Sequence, residues 1–238
     1  MQYHPGEYWR ERLGRGLDLR ATGLLKGSAS SNLYYYRLKE VVLSRTINKV
    51  GFNPTGKNVL DVGSGTGYWV NYFLSRGANV SGVDIVPEAV EALRVNFPEA
   101  SFWVGDISHW QPSGEYELVN AFDVLYHITD DGDWARAVRG LWEALVSGGL
   151  LLFTDVFGLG EGTFSDSPHV RFRGWGLYEK ILPSHSLVTV APLYYLMGYP
   201  AATRGPEAWF LRRSFRYTQK NCQARFVGQE LYASIIRY

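Results

Sequence analysis

The sequence contains a single cysteine, Cys222, among 238 residues. One thiol excludes an intrachain disulfide framework and a cysteine-based zinc site, and it fits a reducing, cytoplasmic compartment. Net charge is nearly absent as well: the formal total is +1 at pH 7, which argues against a chain whose main task is coating nucleic acid. Long apolar runs are missing too. Residues 1–20 are polar and lack the apolar stretch of a secretory leader. The longest segment without Asp, Glu, Lys or Arg, residues 181–203, is interrupted by Pro183, Pro192 and Pro200. A membrane-spanning helix needs about 20 predominantly apolar residues, so no membrane span is expected.

What the chain does have is a globular composition, 46% hydrophobic and 20% charged, with 15% aromatic residues. The small net charge conceals a split. Residues 204–238 carry +5 and the preceding 203 residues carry −4.

Between residues 58 and 157, short apolar runs alternate with helical periods. Runs at 58–63, 80–85, 101–107, 117–124 and 150–157 read as strands. Trp69, Tyr72 and Phe73 mark a helix after the first run, stopped by Gly77. Val86, Val90, Leu93 and Phe97 mark a second, entered at Pro87. Trp134, Val138, Leu141 and Leu145 mark a third, ended by Gly148 and Gly149. This alternation predicts βαβ units: an α/β, doubly wound, Rossmann-like sheet, mostly parallel and covered on both faces. Before it, residues 1–57 predict a helical N-terminal lid with a helix over 32–48. After it, 158–180 reads as a glycine-rich loop and short helix, 187–196 as a sixth strand, 206–223 as a basic helical insertion, and 231–238 as a seventh, antiparallel strand. The whole, 1–238, is read as one domain.

The first strand runs into Val59-Leu60-Asp61-Val62-Gly63-Ser64-Gly65-Thr66-Gly67. Glycines there allow a sharp turn and bring main-chain N–H groups against a ligand. The spacing is G-x-G-x-G, not the dinucleotide G-x-G-x-x-G, because position 68 is tyrosine. Asp61 precedes the first glycine by two residues. Asp84 closes the second strand, where a carboxylate can accept both hydroxyls of a ribose. Asp106 closes the third, where it can accept from an adenine amino group.

With these motifs the sequence resembles the class I S-adenosylmethionine-dependent methyltransferases. The resemblance is carried by LDVGSGTG at 60–67, VDI at 83–85, GDI at 105–107, FDVLYH at 122–127 and the glycine pair before LLLFTD at 150–155, and it covers roughly residues 55–157. It implies S-adenosyl-L-methionine as cofactor and S-adenosyl-L-homocysteine as product. It also implies that Asp61, Gly63, Ser64, Gly65 and Gly67 hold the methionine part, Asp84 and Ile85 the ribose, and Asp106 and Ile107 the adenine, with Ala121, Phe122 and Asp123 flanking the bound cofactor.

For catalysis, His127 follows the fourth strand and Asp155 ends the fifth, so both strand ends should face one crevice. In resembling small-molecule O-methyltransferases a His and an acid in such places assist deprotonation. The assignment between Tyr126 and His127 is open, and His127 reads equally as the cap of the following turn. His169, Arg171 and Arg173 alternate in HVRFR, so the two arginines face one side if extended, toward an anionic substrate group or toward solvent. Tyr8, Trp9, Tyr34 and Tyr35 form a candidate aromatic substrate lid. A metal is not expected, since only Asp155 and Asp123 are suitably placed.

Three functions compete. The first is methylation of a small-molecule acceptor, at a hydroxyl oxygen. The second is RNA methylation with the basic tail as an electrostatic clamp, opposed by the lack of an Asn/Asp-Pro-Pro-Tyr motif after the fourth strand and of a catalytic cysteine. The third is a non-catalytic cofactor-binding protein or a nicotinamide-dependent reductase, the latter disfavoured by the loop spacing and the third acid.

Overall fold

The computed structural model describes residues 3–25, 27–110, 112, 114–155 and 160–182, and the backbones of 187–193 and 231–237. The basic 206–223 segment, Cys222 and the last two residues of the expected fifth strand lie outside the described residues.

Three helices precede the sheet: α1 (Pro5–Gly14), α2 (Leu19–Thr22) and α3 (Ala29–Lys49). Pro5 opens α1 with its φ already helical, and Glu7 places negative charge in the first turn. Ser28 caps α3 by accepting from the Ser31 N–H at 3.1 Å. Sequence periodicity pointed to α3 alone. The two shorter helices were hidden because α1 is polar along most of its length and α2 is a single turn, started by Asp18 accepting from the Arg20 N–H at 2.8 Å.

The chain then alternates β1 (Asn58–Val62), α4 (Tyr68–Leu74), β2 (Asn79–Asp84), α5 (Pro87–Asn96), β3 (Ser101–Val104), β4 (Tyr116–Ala121), α6 (Asp131–Glu143) and β5 (Leu145–Asp155). These five strands form a parallel sheet in the order β3-β2-β1-β4-β5. Successive side chains of a strand face opposite layers. Thus Val59, Leu118 and Leu152 join the core under α3, α4 and α5, whereas Leu60, Val119 and Leu151 join the core under α6. Burial on both faces is what makes these strands read as continuous apolar runs.

Three strand boundaries differ from expectation. β3 stops at Val104, so Asp106 lies in the loop beyond it. β4 stops at Ala121 because Asp123 turns the chain with φ 59°. β5 begins at Leu145, opposite Tyr116, so Gly148 and Gly149 form an irregularity within a strand instead of ending α6. Beyond β5, a short hairpin pairs β6 (Thr163–Phe164) with β7 (Phe172–Arg173), and α7 (Trp175–Glu179) follows. The backbone of β8 (Leu187–Leu193) pairs antiparallel with β9 (Leu231–Arg237), which pairs antiparallel with β5. Among the described residues no helix is long and apolar enough to cross a membrane.

Candidate active site

A cavity of about 580 Å³ opens at the carboxyl ends of the parallel strands, with Pro5, Trp9 and Leu13 of α1 and Thr22 of α2 among its lining. This is the place where open α/β sheets bind ligands, and the volume is that of a small-molecule site.

The floor is the Gly63–Gly67 loop. Gly63, Gly65 and Gly67 all have left-handed φ, at 65°, 50° and 81°, where a side chain is strained. Space is also exhausted: a Cβ on Gly65 would lie 2.6 Å from Thr22 Cγ2 of α2, and one on Gly67 would lie 2.5 Å from the Phe97 ring. The Gly63 and Ser64 N–H groups both donate to the Val83 carbonyl, at 2.8 and 3.1 Å, which anchors the loop to β2. Asp84 fixes it further. Its Oδ2 accepts from the Gly65 N–H at 2.8 Å and its Oδ1 from the Val86 N–H at 2.9 Å.

Asp61 is buried beneath this loop. Asn120 Nδ2 donates to its Oδ1 at 2.7 Å, and Oδ2 has no partner among the described residues. Burial pushes its carboxyl up from 3.8 to about 7, against the Asn120 hydrogen bond and the adjacent Ser64 hydroxyl, which itself donates to the Asp61 main-chain carbonyl at 2.9 Å, and with the Asp84 charge adding to the rise. Asp106, half exposed, lines the cavity and accepts from the Ser108 N–H at 2.9 Å. Ser64, Ile85, Ile107 and Phe122 line it as well. Gly67 and Ala121 are buried and are not among its lining residues.

The roof is aromatic. Tyr3 and Trp9 come from the N-terminal segment, and Tyr36, Tyr68, Trp69 and Phe122 from behind the sheet end. Of the four aromatic lid residues expected from sequence, Trp9 lines the cavity. Tyr8 stacks on His169 at 4.6 Å between ring centres, Tyr34 is half buried, and Tyr35 is buried. Tyr36, one residue on, takes the lining position, with its hydroxyl donating to Thr22 Oγ1 at 2.8 Å.

His127 lines the cavity against the edge of Trp9, 4.8 Å between ring centres. Its Nδ1 lies 2.8 Å from the His169 carbonyl oxygen. A carbonyl only accepts, so Nδ1 carries the proton and Nε2 the lone pair. Burial drives its pKa down from 6.5 to about 3, so the ring is neutral at ordinary pH.

The structure separates the other sequence candidates from the cavity. Asp155 is fully buried, accepting from the Arg173 N–H at 3.0 Å and the Tyr178 hydroxyl at 2.6 Å. A carboxylate at the end of an apolar run did have a reason, but the reason is to tether β7 and α7 to β5. Tyr126 is buried against His127 and Phe172, and burial raises its phenol well above 10. Arg171 and Arg173 do face one side, but toward Asp131, which both engage at 2.9 Å.

A buried pair was not read from the sequence. Lys39, on α3, is almost wholly buried and bonds Asp123 Oδ2 at the cavity wall. Nothing in the local pattern around Lys39 marks it, because a lysine in a helix ordinarily faces water.

A family model described as a methyltransferase domain matches residues 35–188. The chain belongs to the class I methyltransferases. Among curated proteins, this methyltransferase is 27% identical over 141 residues to a probable S-adenosylmethionine-dependent methyltransferase of Mycolicibacterium smegmatis, covering 59% of this chain and 52% of the relative. It is 29% identical over 99 residues to nodulation protein S of Rhizobium tropici (40% and 42%) and 30% identical over 102 residues to the ubiquinone biosynthesis O-methyltransferase of Bordetella parapertussis (40% and 42%). The chain thus spans about half, or less, of the length of these relatives. The fold is that of N-methyltransferase NodS from Bradyrhizobium japonicum, solved with S-adenosyl-L-homocysteine. The TM-score is 0.58 at 15% identity, over 97% of this chain and 98% of that one. Magnesium protoporphyrin IX methyltransferase from Synechocystis, solved with bound S-adenosylmethionine, gives 0.57 at 16%, over 98% and 90%.

S-adenosylmethionine is the cofactor of this methyltransferase class. The residues present fit it: a glycine cradle with no room for a Cβ, and in Asp61 a buried carboxylate oxygen without a partner among the described residues.

Proposed function

We propose that this chain transfers a methyl group from S-adenosylmethionine to a small-molecule acceptor, at a hydroxyl oxygen. The observation that carries the reading is the pairing of the Gly63–Gly67 cradle with an aromatic-roofed cavity over the same strand ends. A concave cavity of this size supports a metabolite-sized acceptor over RNA.

In this reading the unpartnered Asp61 oxygen and the loop N–H groups hold the donor's methionine end, Asp84 and Ile85 its ribose, and Asp106 and Ile107 its adenine. Phe122 and the backbone at Ala121 flank it. Bound S-adenosylmethionine supplies an electrophilic methyl on a positively charged sulfur. The protein's task is then to position the acceptor and exclude water, and alignment alone supplies much of the acceleration. Trp9 and Tyr36 shut the roof. His127 offers Nε2 to a donor group on the acceptor and orients it. Tyr126 and Asp155 serve this site indirectly, by fixing the wall on which His127 and β7 rest.

The two antiparallel strands beside β5 support a seven-stranded sheet as the complete architecture, within one domain over 1–238. The lone cysteine supports a cytoplasmic setting.

Transfer of labelled methyl from S-adenosylmethionine into a small-molecule extract tests the function, with Asp61→Ala as control. Label in a small-molecule fraction is the expected result. Label in RNA alone, or transfer undiminished in Asp61→Ala, would overturn the reading or the cofactor assignment respectively.

A further inference from the structure

Five carboxylates line the cavity: Asp84, Asp106, Asp123, Asp130 and Asp133. Asp84 and Asp106 belong to the donor side. Asp130 caps α6 by accepting from the Asp133 N–H at 2.8 Å, and Asp133 pairs with Arg136. Asp123 has a different surrounding.

It lies just past β4 in a left-handed conformation, the single non-glycine residue with positive φ among those described. A residue held there costs of order 1 kcal/mol or more, and such outliers persist where the surroundings over-determine them. Those surroundings are specific. The Asp123 N–H donates to Thr154 Oγ1 at 2.8 Å, and Thr154 Oγ1 donates back to Asp123 Oδ1 at 3.0 Å. Lys39 reaches from α3 to Asp123 Oδ2, with its ammonium 3.9 Å from the centre of the Tyr35 ring. A lysine buried to 2% exposure pays a large desolvation cost. Burial pushes the Lys39 pKa well below its ordinary value, yet its amine still bonds Asp123 Oδ2, so backbone strain and a buried lysine converge on one side chain that lines the cavity.

Resting on the methyltransferase reading above, we propose that Asp123 is the catalytic carboxylate that accepts the hydrogen bond, and then the proton, of the acceptor hydroxyl, and that Lys39 is the positioning residue that holds it. Neutral His127, with its weakly basic ring, orients but does not take the proton. As the acceptor oxygen bonds the methyl carbon, the carbon–sulfur bond breaks with its electron pair going to sulfur, and the hydroxyl proton passes to Asp123. One positive charge on sulfur and one negative charge on Asp123 disappear together. The hydroxyl proton becomes strongly acidic only as the C–O bond forms, so a carboxylate within hydrogen-bond reach can take it at that stage.

The test compares wild type, Asp123→Asn, Asp123→Glu, Lys39→Met and Lys39→Arg. S-adenosylhomocysteine affinity is measured by calorimetry, and methyl transfer is measured against a titrated small-molecule extract. The proposal expects Asp123→Asn to lose about 100-fold or more in maximal rate, with product affinity and the half-saturating extract concentration changed less than about threefold. Lys39→Met should lose at least tenfold in the same quantity, and Lys39→Arg should recover most of it. Asp123→Glu keeps a carboxylate and should exceed Asp123→Asn. Undiminished transfer in Asp123→Asn, or equal loss in Asn and Glu variants of equal product affinity, overturns the proposal. If Asp123→Asn does not fold, the Lys39 pair decides: Met and Arg variants alike in rate overturn it. Wild-type protein that binds S-adenosylhomocysteine but transfers no label overturns the methyltransferase reading itself, a separable failure.

Discussion

Asn120 donates to one oxygen of Asp61 across the β1–β4 pairing, at 2.7 Å, and the other oxygen is buried with no partner among the described residues. A buried carboxylate in this state is held close to neutral pH, at about 7. The raised value means that the folded protein binds this proton more tightly than the unfolded chain does. Its contribution to stability is therefore fully present below about pH 4 and is lost as pH rises through 7.

Ligand binding should run the other way. A cation reaching Asp61 favours the carboxylate, so binding releases a proton below pH 7. S-adenosylmethionine affinity should rise by up to about tenfold per pH unit between roughly pH 5 and 7 and level off above 8. Asp61→Asn should weaken binding about 10–100-fold at pH 8, the worth of a charge-assisted bond, and flatten the profile. Calorimetry across pH, in buffers of different ionisation enthalpy, checks both. A flat wild-type profile would remove Asp61 from the site.

His127 predicts the opposite sign. Its pKa is depressed to about 3 by burial, with the His169 carbonyl partly opposing and the nearby His169 and Arg12 charges adding. The folded state excludes a proton that the unfolded chain accepts below about 6.5, so stability from this group falls as pH drops from 6.5 toward 3. Nitrogen-15 NMR should show a neutral ring with the proton on Nδ1 from pH 5 to 8. The rate profile should carry no limb from His127 in that range, and His127→Ala should lower the rate by about 10–100-fold through lost orientation.

The cradle makes a structural prediction. Gly67→Ala combines a left-handed backbone with a Cβ 2.5 Å from Phe97 and 2.8 Å from Leu93 Cδ2. Conformational strain and overpacking together should cost about 2–4 kcal/mol. Gly51→Ala shares the positive φ but meets nothing within 4 Å among the described residues, so it should cost about 1 kcal/mol. Denaturant titration of the two variants separates strain from crowding.

The contrast between these residues explains what was legible in the chain. The glycine loop, Asp84 and the parallel sheet were readable because each is local: a turn needing positive φ, an acid at a strand end, apolar runs buried on both faces. Asp155 was misleading for the same reason, since a carboxylate closing an apolar run looks the same whether it faces a cavity or tethers a neighbouring hairpin. Lys39 was invisible because its partner is 84 positions away. Tyr36 was missed by one residue, since an aromatic run on a helix does not state which ring turns inward.

Arg171 and Arg173 carry the last prediction. Sequence alternation placed them together, and the structure shows what they hold: Asp131, at the start of α6. Arg173 is fully buried and also donates to the Arg171 carbonyl at 3.1 Å, with Nη2 3.4 Å from the Thr129 and Asp130 carbonyls. Thr129 and Asp130 line the cavity, so the guanidinium fixes a segment of its rim without touching its contents. Asp131→Ala removes the carboxylate that answers both arginines. A fully buried pair broken in this way costs about 3–5 kcal/mol. Because Asp131 is 60% exposed, water screens the loss, and about 1–3 kcal/mol is expected. Burial raises the Asp131 carboxyl, and the Arg171 and Arg173 hydrogen bonds outweigh it, so its pKa is lowered. The stabilisation is present above about pH 4 and lost as pH falls through the folded value. Thermal melts of Asp131→Ala and wild type should therefore differ at pH 7 and converge toward pH 3. If the arginines instead bound an anionic substrate group, the variant would keep its stability and lose only acceptor affinity.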